Sequence, residues 1–352
     1  MSSSEELDKT GNLFVAYLAK YRRTVEVYLE DEAPHALRTS QLYDDLDRYL
    51  YAPLRHFTAR GGKRTRPVLC LLGCEAVGGR PEAALSPAFA VEYFQSAALV
   101  HDDIADDGQL RRGKPCLHLL EGTGPAINDG DLGIVTTFQA ILHDESLDAK
   151  SRLSLLEELA HMEHMTVEGQ ALDLCWVRDE RGDITPDDYL YMAWHKTAYY
   201  SAACPLAMGA VCGGGSPAQV KALRAYGLDT GLAFQIQDDL LNLVGDATAQ
   251  GKDFRSDITE GKRTLGVVWA LQELKGAERD ELLGILKAHT TDQDQLARAV
   301  ELMEHAGAIN HMWSEAVSLV QQAKARLPKD DFDPEAYDVL LSMADFFVRR
   351  AG

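Results

Sequence analysis

Two apolar helical runs that each end in adjacent aspartates constrain this chain more than any other feature. The first, Phe89 to Val100, delivers His101-Asp-Asp-Ile-Ala-Asp-Asp107. The second passes through Leu223, Tyr226, Leu228 and Leu232 and delivers Gln235-Ile-Gln-Asp-Asp-Leu-Leu-Asn242. Each opens with Ser-Pro, at Ser86-Pro87 and Ser216-Pro217, which reads as an N-cap with proline in the first turn. Helical spacing puts Asp102 and Asp106 on one face and Asp103 and Asp107 on the next. Four carboxylates at a helix C-terminus oppose both the helix dipole and one another, and at an effective dielectric of 20 each close pair costs about 4 kcal/mol. Positive charge is expected there. A single acidic end is explained equally well as solvated surface. Two facing clusters suit a hard cation, above all Mg²⁺, which keeps waters and binds phosphate oxygens.

The rest of the chain reads as helix. From about residue 12 to residue 58 apolar positions such as Leu46, Tyr49, Leu50 and Leu54 recur at helical spacing, and no two-residue alternation or hairpin signal is evident. Breaks fall at Gly61-Gly62, Gly78 to Pro81, Gly122 to Pro125, Arg181 to Asp183, Gly213 to Pro217, Gly245 to Gly251 and Pro328. None is long enough to divide domains. The expectation is an all-α fold, one domain over residues 1–352, with 1–11 a flexible N-terminus. A hydrophobic content of 46% supplies a core, while no run approaches the roughly 18 apolar residues a membrane span needs. With no signal-peptide pattern at the start, a cytoplasmic protein is expected. The formal net charge of −20 argues against nucleic acid as a partner. Cys70 and Cys74, one turn apart in an apolar stretch, read as buried thiols, and His161 and His164 have no third ligand that would support zinc.

Basic residues are gathered in short motifs. In Arg60-Gly-Gly-Lys-Arg-Thr-Arg-Pro67 two glycines allow close backbone approach and the cations suit an oxyanion. Together with Arg111-Arg112 this makes a candidate anion site distinct from the acidic clusters. Lys196-Thr197 sets a cation beside a hydroxyl in apolar sequence, a pattern that snorkelling to solvent also explains. Lys252 and Gly261-Lys262-Arg263-Thr264 follow the second acidic helix. Residues 278–350 are amphipathic helix without visible chemistry, suited to packing around the core or a second subunit.

These motifs, in this order, resemble the trans-prenyl diphosphate synthases, also called polyprenyl synthetases. The likeness is carried by Gly61-Gly-Lys-Arg-Thr-Arg-Pro67, His101-Asp-Asp-Ile-Ala-Asp106, Arg111-Arg-Gly-Lys-Pro115, Gly130-Asp131, Gly169-Gln-Ala-Leu-Asp173, Lys196-Thr197, Phe234-Gln-Ile-Gln-Asp-Asp239, Gly251-Lys252 and Gly261-Lys-Arg-Thr264. It implies a helical bundle around a central cavity, usually a homodimer, that joins an allylic diphosphate head-to-tail with isopentenyl diphosphate. By the same resemblance Asp102, Asp106 and Asp238 hold Mg²⁺, three ions with substrate bound, with Asp103 and Asp239 in support. Arg111, Lys196 and Lys252, with Lys262 nearby, hold the allylic diphosphate. Gly62, Lys63, Arg66 and Arg112 belong to the isopentenyl diphosphate site, and Thr197 and Gln235 lie where the allylic cation is stabilised. Two departures stand out: Gln95 replaces a histidine that many members carry, and Asn242 replaces the last aspartate of the second motif. Against a class I terpene cyclase or a head-to-head condensing enzyme stand Gly61-Gly-Lys-Arg64 and Arg111-Arg112, which a cyclase with no second diphosphate to hold would not need. A non-catalytic partner subunit would be expected to lose site residues that this chain keeps.

Product length follows from helix geometry. Ala97 and Ala98, just before Asp102, are small where an aromatic would close a cavity one turn below the acids. Phe94 lies eight residues and roughly 12 Å back on the Asp102 face and is expected to form a lower floor. That points to geranylgeranyl diphosphate, with twenty carbons, the alternatives being longer- or shorter-chain synthases.

Overall fold

The structure, a computed structural model, describes residues 2–245 and 254–349, with side chains from Leu13 onward. It is helical almost throughout. α1 (Ser2–Asp31) begins inside the stretch read as a flexible end, and its Phe14 ring meets Phe346 and Phe347 near the other end of the chain. Past Asp31 the chain leaves the helix and passes Pro34 before the short α2 (Tyr43–Leu46), a π-helical turn (Asp47–Tyr51) and α3 (Ala52–Thr58). Of the apolar series expected here Leu54 is fully buried, whereas Leu46 and Tyr49 are 39% and 58% exposed.

α4 (Thr65–Ala76) and α5 (Leu85–Ala105) lead to α6 (Leu117–Glu121), α7 (Thr123–Leu142), α8 (Ala149–Arg178) and α9 (Pro186–Ala193). A π-helical segment (Trp194–Ala203) joins α9 to α10 (Cys204–Cys212), and α11 (Pro217–Val244) carries the second acidic motif. After residue 253 come α12 (Ser256–Thr259), α13 (Leu265–Glu273), α14 (Gly276–Lys287), α15 (Gln293–His305), α16 (Ala308–Arg326) and α17 (Pro334–Arg349). α5 packs on α4, α7 and α10, and α11 packs on the π segment, α10, α16 and α17. The main cluster of buried side chains runs from Phe14 to Val348.

The two Ser-Pro starts behave differently. Ser216 caps α11, accepting from the Gln219 amide while the Gln219 side chain returns to the Ser216 amide, with Pro217 at the first position. Ser86 is no cap: α5 begins a residue earlier, after a 3₁₀ turn (Pro81–Ala84), and the Ser86 hydroxyl donates to Asp144 at 2.6 Å. Pro87 is tolerated anywhere in a first turn, where amides have no intrahelical partner, so it did not mark the boundary.

A hairpin that the sequence does not signal follows α5. β1 (Leu110–Arg111) pairs antiparallel with β2 (Lys114–Pro115), and the turn residues Arg112 and Gly113 both have positive φ, 53° and 74°. Two-residue strands offer no alternation to read, and an Arg-Gly turn lacks the usual Asn or Asp.

Candidate active site

Both acidic ends open onto one cavity of about 730 Å³. Asp102 and Asp106 line it from α5, and Gln235, Asp238 and Asp239 from α11. Lys196 and Thr197 enter from the π segment, and Lys262 from the loop before α13. Lys63, Arg66, Gln95, Arg111 and Arg112 complete the cationic side. Gly62 joins four of these residues, Lys63, Arg66, Gln95 and Arg112, around an adjoining hollow of about 200 Å³ walled by Phe234, Phe346 and Phe347. Lys252 lies outside the described residues.

On the first wall Asp102, Asp103 and Asp106 each have a cation within 4 Å. Asp102 accepts from Gln170 Nε2 at 2.9 Å and has Lys196 Nζ at 3.9 Å. Burial works to raise its carboxyl, but Lys196, Lys262 and the Gln170 bond outweigh it and hold it below the usual carboxylate value. Asp106, 3.4 Å from Lys262 Nζ, goes the other way: burial, with Asp102 and Glu260 adding to it, pushes it up to about 6. Lys262 also meets Glu260 and, at 3.9 Å, Asp257. Asp103 has turned inward. It is 1% exposed and accepts from Arg111 Nε at 2.8 Å and Nη2 at 2.5 Å, so it aims the guanidinium from behind the wall.

Lys196 is positioned by a helix contact. A Cβ at Gly169 of α8 would come within 2.2 Å of the Lys196 backbone nitrogen, so only glycine allows α8 and the π segment to touch there. Asp173, one turn further along α8, then meets Lys196 Nζ at 2.5 Å. π-helical turns of this kind concentrate at functional sites because they re-aim side chains.

On the second wall Asp238 is exposed and Asp239 is 5% exposed. Asp239 accepts from Tyr189 Oη at 2.7 Å and from Gln235 Nε2 at 2.6 Å. Burial, reinforced by Asp257, raises its carboxyl well above the usual value against the pull of those two bonds. Asn242 donates to Ser256 Oγ at 3.2 Å and accepts from the Asp257 amide at 3.3 Å, tying α11 to α12.

The cationic side is braced by backbone and hydroxyls. Gly62, with φ +134°, brings the chain to the Arg112 guanidinium, which donates to the Gly61 carbonyl. Arg66 Nη2 donates to Tyr200 Oη at 2.9 Å and Ser201 Oγ at 2.8 Å. His101 lies against α7, with Nε2 3.2 Å from the Ile127 carbonyl and 3.5 Å from Asp131.

The residues expected to set product length divide. Ala97 is fully buried, and a Cβ on Gly133 of α7 would sit 2.9 Å from its own Cβ, so Ala97 faces α7 and an aromatic there would collide with that helix. Ala98 is half-buried on the face that carries Gln95 and Asp102, and Phe94 packs edge to face on Tyr200, which lines the cavity. Sequence reasoning missed Tyr189, Tyr200, Asp257 and Glu260. Gln170 and Asp173 stood in a quoted motif, which is the signal that could have found them; the two tyrosines carried none.

The geometry describes a helical enzyme that handles polyanions between acidic walls and a cationic rim. Residues 47–303 match the model of the polyprenyl synthetase family. A short chain isoprenyl diphosphate synthase of Methanothermobacter thermautotrophicus is 40% identical over 84% of this chain and 88% of its own length. A geranylfarnesyl diphosphate synthase of Natronomonas pharaonis is 36% identical over 86% and 90%. Among solved structures, the geranylgeranyl pyrophosphate synthetase of Pyrococcus horikoshii superposes with a TM-score of 0.86 at 31% identity, covering 97% of this chain and 99% of that one. The chain belongs to the polyprenyl synthetase family and is a trans-prenyltransferase.

Proposed function

We propose that this enzyme condenses isopentenyl diphosphate head-to-tail with an allylic diphosphate to make geranylgeranyl diphosphate, as a single domain over residues 1–352. The observation that carries the reading is the meeting of two carboxylate walls and a separate cationic cluster in one cavity large enough for both substrates. A cyclase has one diphosphate to hold and would not need the second cluster.

Asp102, Asp106 and Asp238 are read as the ligands of Mg²⁺. Among the described residues no three His, Cys, Asp or Glu side chains converge closely enough to hold an ion alone. The donor set still fits: these are hard oxygens on opposed walls, suited to an ion that takes its remaining ligands from water and substrate phosphate. Bound Mg²⁺, three ions by family likeness, would neutralise the diphosphate and so favour its departure. Lys196 and Lys262, with Arg111 aimed by Asp103, add fixed positive charge around that leaving group, and Lys252 is assigned there by family likeness alone. Lys63, Arg66 and Arg112 bind the second diphosphate, Gln95 donates an amide hydrogen bond there in place of histidine, and Thr197 and Gln235 turn dipoles toward the electron-poor allylic carbon. The departing diphosphate takes the final proton, so no protein base is required.

For length, Ala98, on the Asp102 face, is read as leaving room for the chain, and Phe94, which packs on cavity-lining Tyr200 without itself lining the cavity, as the floor beneath it. A homodimer is supported by apolar side chains left open on α6, α7 and α8, among them Leu120, Val135 and Val167 at 53%, 53% and 68% exposed. A cytoplasmic setting is supported by thiols, four of the six buried and all free.

The test incubates purified protein with Mg²⁺, isopentenyl diphosphate and dimethylallyl, geranyl or farnesyl diphosphate in turn, and measures product mass. A twenty-carbon linear product is expected, with Phe94→Ala lengthening it and Ala98→Phe shortening it. Cyclic hydrocarbon, or no condensation with any starter, would refute the reading. Unchanged chain length in both variants would remove the floor assignment alone.

A further inference from the structure

The second aspartate of the α11 pair has spent both of its oxygens on protein donors. Tyr189 Oη donates to Oδ2 at 2.7 Å and Gln235 Nε2 donates to Oδ1 at 2.6 Å, while the tyrosine is 1% and the aspartate 5% exposed. Because Oδ1 accepts from Nε2, Asp239 faces the NH₂ end of the Gln235 amide. The carbonyl end is therefore turned away from Asp239, on a side chain that lines the cavity. Tyr189 comes from a different element, α9, whose start is pinned by a capping box between Thr185 and Asp188 with Pro186 at the first position. The phenol is thus delivered to Asp239 from a rigid helix.

From this geometry we infer that Tyr189 is a positioning residue for the prenyl transfer: through Asp239 it locks the Gln235 amide with its oxygen toward the reacting carbon. The inference rests on the reading of Gln235 given above and adds what holds it. An amide free to rotate would present its NH₂ end, the positive end of the dipole, about as readily as its oxygen. The side chain would then lose its stabilising effect without moving its backbone. Tyr189 touches neither diphosphate in this account, so its removal acts on turnover and leaves substrate affinity alone.

The test is a double-mutant cycle on the full-length protein between Tyr189→Phe and Gln235→Ala, with kcat and both KM values measured at saturating Mg²⁺. Tyr189→Phe alone is expected to lower kcat about tenfold with each KM within about twofold. In the Gln235→Ala background the same substitution is expected to cost less than about twofold, because the group it orients has gone. An equal loss of kcat in both backgrounds overturns the inference and leaves Tyr189 as packing. So does a loss that appears in KM. If Gln235→Ala itself leaves kcat unchanged, the role assigned to Gln235 falls and this inference with it, while product mass still reports whether the enzyme condenses. Thermal melting of Tyr189→Phe checks the fold. Should that variant melt early, the cycle is run with Asp239→Asn, whose amide must face Gln235 or Tyr189 with its own NH₂, and the same non-additivity is required.

Discussion

The two acidic walls look alike in sequence and differ in three dimensions. The α5 wall is saturated with cations: Asp102 and Asp106 are met by Lys196 and Lys262, and Asp103 is clamped by Arg111. On the α11 wall Asp239 and Asn242 hydrogen-bond to neutral groups: a phenol and an amide for one, a hydroxyl and a backbone amide for the other. They share one division of labour. The first aspartate of each pair is the more open one, and the second is buried, Asp103 behind the wall and Asp239 at the cavity's edge, where each bonds another functional side chain: a guanidinium on α5, an amide on α11. In the function proposed above, the first wall governs charge on the leaving diphosphate, whereas the second shapes the environment of the carbon it leaves.

The largest effects test the shared part. Asp102→Ala and Asp238→Ala should each lower kcat by about 10³-fold, on the order of 4 kcal/mol, in a steady-state assay of product formation. A loss below tenfold for Asp238→Ala would break the comparison and leave the first wall as the sole ion site. Next, Asp103→Asn removes the charge that clamps Arg111 and is expected to lower kcat/KM for the allylic substrate by about 10²-fold. Should the loss fall on isopentenyl diphosphate instead, Arg111 has been assigned to the wrong substrate.

A pH dependence separates the walls further. Asp106 titrates near 6 in the folded chain, above an unfolded carboxylate, so the native state holds the extra proton between about pH 4 and 6. Its contribution to stability is full below the unfolded value and is lost as pH rises through 6, a change on the order of 3 kcal/mol. Melting of the metal-free protein compared with Asp106→Asn should show wild type losing stability relative to the variant from pH 4.5 to 7. Added Mg²⁺, which needs the ionised carboxylate, should raise the wild-type melting temperature more at pH 7 than at pH 5. The smallest effect belongs to Asn242→Asp. Restoring the acid breaks the donor bond to Ser256 and brings charge near half-buried Asp257, whose carboxyl desolvation pushes up to about 6. Activity is expected to stay within about threefold with a slightly lower melting temperature, and a gain above tenfold would make the walls equivalent.

Much of this architecture could be read from the residues. The capped start of α11, the acid pairs, the two cationic motifs and the helical breaks are local signals, visible because periodicity and residue type act over a few turns. The hairpin after α5 was illegible, since two-residue strands have no period. Ala97 and Ala98 are indistinguishable in the sequence, and only the approach of α7 at Gly133 separates them. Tyr189 and Tyr200 looked like ordinary core aromatics, because what marks them is a bond to Asp239 and a bond from Arg66, 50 and 134 residues away.

The amino-acid sequence alone determined that the chain would be helices, that two of them would end in paired acids, and that clustered cations would need an anion. Tertiary packing decided which aspartate of each pair stays open and which is buried against a neighbour that it holds. The reason is geometric: successive side chains on a helix point about 100° apart, so their roles are assigned by whatever lies against each face, and that comes from distant parts of the chain.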